Sequence, residues 1–392
     1  MIVGTFGVMA GAAVLLLGLG GAAIEYQYRR RPGNALDWVA GNWRLMVCEP
    51  QRYQIVGRSE LINRTRSLEI MVLEVKPEST LLSGGSLAGV SVKARIKPSH
   101  PDAEPRSDDY WFGYIVKVGK AARMDVEVDI QGADLTQLKA LWVRIHYVTY
   151  GPQGRIPKTR HVIVPLKFPN SDEAQSWRPL PMADILPIPT HLLTQLDDPV
   201  SIVKRYVLPH SQPDDIVTIG ETPVAIMQGR LRHPTDVKLG WLAKRLCYYF
   251  MPTSSLATAC GMQTLVDIVG PWRVLLAFLV GSIAKILGKP GVFYQLAGEQ
   301  ARLIDDVTGT LPPFDQFIVL GPKSPQKVVQ QIYQETGLNA AIVDVNDLKA
   351  VKILAATPEV NFKFLEKALI DNPAGNADEQ TPLVLIRPRI QS

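Results

Sequence analysis

Residues 2–24 run for twenty-three positions without a charged side chain. At about 1.5 Å of rise per residue a helix of that length reaches roughly 34 Å, enough for a hydrocarbon core of about 30 Å. Gly11, Gly18, Gly20 and Gly21 are tolerable in such a helix and let a neighbouring helix approach closely. A cleaved signal peptide would need a basic leading region and a shorter apolar core, and neither is present. The segment therefore reads as an uncleaved anchor. Arg29, Arg30 and Arg31 form the dense positive flank, so the positive-inside rule puts the amino terminus outside and everything after residue 31 in the cytoplasm. The expectation is a single-pass membrane protein whose working part faces the nucleotide pool.

With 392 residues the chain is long enough for two or three domains with full cores. A net charge of +5 is a mild excess, and no Lys/Arg stripe interleaved with aromatics points to nucleic acid. Cys48, Cys247 and Cys260 are odd in number and lack CxxC spacing. That argues against a disulfide framework and a zinc site, and leaves the thiols as small buried apolar groups.

Over residues 43–168 the hydrophobic pattern takes period two. Val90, Val92, Ala94 and Ile96 alternate with Ser91, Lys93, Arg95 and Lys97; Met124, Val126, Val128 and Ile130 alternate with Asp125, Glu127, Asp129 and Gln131. These are half-buried strands, apolar inside and charged outside. Residues 68–75, 110–118, 141–150 and 161–168 add further candidates, which gives six or seven strands and an antiparallel sandwich. His100, His146 and His161 lack the spacing of metal ligands. Asn63-Arg64-Thr65 matches a glycosylation acceptor, which a cytoplasmic placement makes irrelevant. The domain reads as a spacer or interaction module, and the proline-rich residues 169–183 as a linker.

From residue 184 the pattern mixes helix and strand. Asp197-Asp198-Pro199 supplies an N-cap with proline just inside a helix that carries Val200, Val203, Val207 and Leu208. Pro213-Asp214-Asp215 is a turn, residues 216–219 are a buried strand, and a further strand ends at Gln228-Gly229-Arg230. Residues 253–263 form a Ser/Thr-rich entry to a helix, either an anion cradle or an ordinary cap. Residues 274–284 are strongly apolar between Trp272-Arg273 and Lys285 with Lys289. They are too short to span a bilayer and read as a buried helix or, alternatively, an interfacial one. Ser324 and Pro325 start a helix that Gly337 ends, and residues 340–343 are a buried strand that puts Asp344 at its carboxyl end, where α/β ligand sites gather. The polar residues Asn376, Asp378, Glu379, Gln380 and Thr381 precede a last strand at 383–386.

Three of these features together resemble the coenzyme F-420 gamma-glutamyl ligases: the 185–230 segment with its Gly229-Arg230, the Ile304-Asp305 turn ahead of Leu311-Pro312, and Asp344 after a helix and a strand. The resemblance covers residues 184–392 and leaves the first two segments outside it. It implies an α+β domain that uses GTP or ATP and a divalent ion, Mg²⁺ or Mn²⁺, to join glutamate or a similar amino acid to an acid. Asp305 (or its neighbour Asp306) and Asp344 would hold the ion, because hard divalent cations prefer oxygen ligands. Gln228, Gly229 and Arg230 would lie near the phosphates. On the residues alone, Gly229-Arg230 reads first as a tight turn with an exposed cation, and the two aspartates read equally as turn caps. The family motif reads Ser-Lys-x-Val-Ser-Lys-x-Glu-Gly-Arg; here Thr222 and Ile226 replace its lysines and Gln228 its glutamate. The family's Asn after the first Asp is missing, and Val345 stands where a Thr follows the second.

The expected architecture is therefore α+β: an N-terminal transmembrane helix in residues 1–31, an antiparallel β-sandwich at 43–168, and a ligase-like α+β domain at 184–392. The expected function is nucleotide- and metal-dependent amide formation on a small-molecule substrate. The alternative is a non-catalytic, membrane-anchored binding or assembly subunit that keeps the ligase fold, as a homo-oligomer or within a membrane complex.

Overall fold

The computed structural model describes residues 2–30, 33–104, 106–169, 176–306, 311–345, 349–375 and 380–389; for residues 2–13, 29, 30 and 306 it describes the backbone alone. Helix α1 spans Ile2–Arg30. From Val14 to Tyr28 its side chains are exposed, Val14, Leu17 and Ile24 among them. Among the described residues no single helix is long and apolar enough to cross a membrane. The leading half of the expected span lies outside the residues with described side chains.

The period-two segment folds as two antiparallel sheets. Its strands are β1 (Asp37–Glu49), β2 (Arg52–Ile62), β3 (Ile70–Ser83), β4 (Ser91–Pro98), β5 (Tyr114–Val116), β6 (Ala121–Gln131), β7 (Leu138–Gly151) and β8 (Gly154–Pro165). One sheet runs β1-β2-β6-β4, the other β5-β3-β7-β8. The alternation sorts side chains as the pleat requires. On β6 Ala122, Met124, Val126, Val128 and Ile130 are buried, while Asp125 and Asp129 point out and pair with Arg58 and Arg52 at 2.8 Å each.

Strands β1 and β2 were not legible from the pattern, because the inward face of β2 carries Gly57 and Ser59 between its apolar residues. Packing explains both. A Cβ on Gly57 would stand 2.2 Å from the Trp43 ring, and Ser59 Oγ donates to the Ala40 carbonyl at 2.8 Å. Asn63 is buried and its amide donates to the Leu68 and Val116 carbonyls at 2.7 and 2.8 Å, so it is a structural side chain. Cys48 is exposed, against the expectation of a buried thiol; Cys247 is buried and Cys260 half-buried.

The rest of the chain builds a six-stranded mixed sheet from β9 (Arg178–Pro179), β10 (Ala183–Ile188), β11 (Ile216–Gly220), β15 (Asn339–Val345), β16 (Val351–Ala356) and β17 (Leu383–Pro388). The order is β16-β15-β11-β17-β10-β9, and β11 and β15 are parallel. The short helix α2 (Pro199–Ile202) follows β10, with Asp198 accepting from the Ser201 N–H as its cap. Helix α3 (Glu221–Met227) follows β11 directly. Between β12 (Leu231–Arg232) and β13 (Asp305–Asp306) lies a helical layer: α4 (Trp241–Leu246), α5 (Ala259–Val269), α6 (Pro271–Ile286), α7 (Val292–Ala297) and α8 (Gln300–Leu303). β14 (Ile318–Val319) pairs with both β12 and β13. Helices α9 (Pro325–Thr336) and α10 (Phe362–Leu369) pack on opposite faces of the large sheet, since Val329 and Leu365 belong to its two separate cores.

Three local expectations are corrected. Residues 221–227 form a helix rather than a strand, and its Val224, Ala225, Ile226 and Met227 are all buried between two cores. Ser324 occupies the cap position of α9 without a capping bond, in a left-handed conformation with φ 49°. Helix α6 is mostly exposed, with only Val274 and Ala277 buried. The two domains share a small core of their own, in which Ala140, Trp142 and Ile163 of the sandwich meet Ile226, Phe314 and Phe317.

Candidate functional site

Strands β11 and β15 are the parallel pair, and their carboxyl ends carry the chemistry, as in open α/β sheets. Gly220 ends β11 opposite Val343, and Asp344 follows on β15. The chain leaves β11 straight into α3, which puts Glu221 and Thr222 on its first turn. Asp305 enters from β13. Glu221, Thr222, Asp305 and Asp344 line one cavity of about 240 Å³, with Gln380 and Pro382 from the loop before β17 and His191 from the loop after β10. His191 is fixed by its neighbours: one ring nitrogen lies 3.0 Å from Asp197 and the other 2.6 Å from the Tyr206 hydroxyl.

The electrostatics are one-sided. Burial, then the charges of Asp344 and Asp305, push the Glu221 carboxyl up to about 8. Burial and the Asp344 charge push Asp305 up to about 6, against a hydrogen bond with Thr222. Lys352 is the cation that opposes the Glu221 shift, and no Lys or Arg lines the cavity among the described residues. Oε2 of Glu221 is buried with no hydrogen-bond partner. Carboxylates held together away from counter-charge call for a cation or a proton.

Among the described residues no three His, Cys, Asp or Glu side chains are grouped to hold a metal by themselves. Two aspartates on one cavity instead match the habit of Mg²⁺, which takes one or two carboxylates and completes its shell with water and phosphate oxygens.

The structure brings Asp305 and Asp344 onto one cavity and sets Gln228, Gly229 and Arg230 apart from it. These three lie beyond the far end of α3. Gln228 exchanges hydrogen bonds with the Lys323 backbone at 2.9 and 2.6 Å, and Gly229 takes φ +65°, which favours glycine. The Arg230 guanidinium donates to the Gly321 carbonyl and to Gln300 at 3.1 Å. Gln228 and Gly229 line a second cavity of about 360 Å³ between the domains, shared with Arg160, His161 and His233. Glu221 and Thr222 were missed by sequence reasoning, because reading 221–230 as a strand hid the strand-to-helix turn that aims them. Asp306 has no described side chain, and Asn376, Asp378 and Glu379 lie outside the described residues.

Comparison with known proteins adds one family. Residues 37–168 match the model of "F420-0:gamma-glutamyl ligase, N-terminal Ig-like domain". The sandwich is thus an Ig-like domain of the type found at the amino end of these ligases, and it relates the chain to that family. This is the segment that sequence reasoning placed outside the resemblance. No curated protein matches the chain. Among solved structures, the GAE domain of yeast GGA1 is 12% identical over 35% of this chain and 96% of its own, with a TM-score of 0.20. The GAE domain of GGA2p from Saccharomyces cerevisiae is 11% identical over 34% of this chain and 100% of its own, also at 0.20. At that score neither carries an argument.

Proposed function

We propose that residues 184–392 form a ligase that uses GTP or ATP and Mg²⁺ or Mn²⁺ to make an amide between an acid and glutamate or a similar amino acid. The observation that carries this reading is the shared cavity of Asp305 and Asp344 at the carboxyl ends of β11 and β15. The Ig-like match supports the family context. When bound, the ion would neutralise the transferring phosphoryl group and lower the cost of its charge. Asp305 and Asp344 would hold it, and Thr222 would orient Asp305 through their hydrogen bond. In the same reading α1 tethers the chain to a membrane with everything after residue 31 on the cytoplasmic side.

One observation favours the other reading, a membrane-anchored binding or assembly subunit without turnover. Arg230, the one basic residue kept from the family motif, is committed to Gly321 and Gln300 and does not line the carboxylate cavity.

Calorimetric titration of GTP and ATP, each with Mg²⁺ or Mn²⁺, into the full chain decides between them. The ligase reading expects metal-dependent binding that Asp344→Ala abolishes. Nucleotide that fails to bind at millimolar concentration leaves the subunit reading.

A further inference from the structure

Helix α6 is apolar on a side that is exposed among the described residues. Val274 and Ala277 are its buried residues, and Gly281 packs so tightly on α7 that a Cβ there would stand 2.9 Å from Phe293. The opposite face carries Trp272, Leu276, Leu279, Ile283 and Ile286, spaced four, three, four and three residues apart, which is one stripe of a helix. Trp272 is 80% and Ile286 85% exposed. Further exposed apolar side chains stand on α4 and the turn after it. Trp241 opens α4, Tyr248, Tyr249 and Met251 follow it, all four are exposed, and the Tyr249 ring lies 5.3 Å from Phe278 of α6. Exposed apolar side chains in this number on neighbouring helices mark an interaction surface.

The charge around it names the partner. Residues 237–298 carry Lys238, Lys244, Arg245, Arg273, Lys285 and Lys289 and a single acid, Asp267, which is already paired with Arg232. The whole chain is nearly balanced, with 42 basic and 37 acidic residues, so this imbalance is local. Arg273 stands at one end of the stripe and Lys285 and Lys289 at the other, with exposed tryptophan and tyrosine at its border. Cations flanking an apolar stripe, with aromatic rings at the border, match an interface between lipid headgroups and acyl chains. By itself α6 is too short to cross, and among the described residues only the bent α5–α6 pair is long and apolar enough. Helix α6 has 16 residues, about 24 Å at 1.5 Å each, and α5 meets it at a bend of 113° with most of α5 buried.

We propose that the outer face of α6, together with α4 and the turn after it, docks in the plane of an anionic bilayer, with Trp272 and Ile286 in the upper acyl region and the basic rim on the headgroups. This goes beyond the α1 tether and does not depend on it.

The test is tryptophan quenching in the full chain, mixed with vesicles of acyl-brominated phosphatidylcholine and phosphatidylglycerol. Residues 1–31 contain no tryptophan, so anchoring through α1 alone can reach only the nearby Trp38 and Trp43, whose quenching the variants below leave in place. The proposal expects quenching that is at least halved by joint Trp241→Phe and Trp272→Phe. The same part of it should also be lost in Leu279→Glu with Ile283→Glu, whose circular dichroism stays native because both sites are exposed. Omitting phosphatidylglycerol should weaken it several-fold. Vesicle-bound protein whose emission is unquenched, or quenched equally in the tryptophan variants, overturns it. So does an unquenched protein that self-associates through the same face.

Discussion

His100 is 6% exposed, stacked on the Tyr114 ring at 3.7 Å, and its Nδ1 accepts from the Arg123 N–H, which leaves the ring's proton on Nε2. Burial pushes its pKa down to about 4, with Asp102 pulling weakly the other way. The unfolded imidazole takes up a proton near pH 6.5, whereas the folded one resists until about pH 4. Stability from this group is therefore complete above about pH 6.5 and is lost as pH falls towards 4, by up to roughly 3 kcal/mol. Urea titrations across that range should show the loss, and His100→Phe should flatten it. Asp215 is buried and takes both arms of Arg387 at 3.0 and 2.8 Å, which ties β17 to the turn before β11. Arg387 keeps access to water when its partner is removed, so Asp215→Ala should lower the unfolding free energy by about 1–3 kcal/mol. The carboxylate cavity carries the opposite sign. Asp305 and Glu221 hold protons more tightly folded than unfolded, so without metal the fold weakens as pH rises from about 4 to 8. A divalent ion should restore the melting temperature at the upper end for the native chain and not for Asp344→Asn.

Among the elements, α3 shows where legibility in sequence ends. Strands β4 and β6 could be read because each buries one face against one core, so polarity alternates visibly. Asp344 could be placed for a similar reason, since the apolar run 340–343 marks a strand whose end must be near. Helix α3 buries residues on two sides, Val224 and Met227 against the large sheet and Ala225 and Ile226 against the domain seam. A short helix between two cores has no polar face to display its period, and its β-branched residues imitate a strand. The same double burial makes it sensitive. Ile226→Ala should cost about 2–5 kcal/mol, measured by denaturant midpoint at constant m-value. Helix α6 failed in the other direction: its composition is that of a buried element, and no rule of periodicity reports that its outer face is exposed among the described residues.

For the whole molecule, the seam decides whether two domains behave as one. Trp142, Ile163, Phe314 and Phe317 are all buried there, so unfolding either domain exposes the other's apolar surface. Calorimetry should record one transition for the native chain, and Phe317→Ala, at a cost of about 3–5 kcal/mol, should separate two. Helix α3 joins this seam to the carboxylates, because its first two residues line the smaller cavity and Met227 lines the larger one between the domains. Seven residues of helix, wedged on both sides, move as a rigid rod. Whatever draws in the first turn must shift the last. By thermodynamic reciprocity, whatever braces the seam then changes the affinity at the carboxylates by the same factor that their occupant changes the bracing.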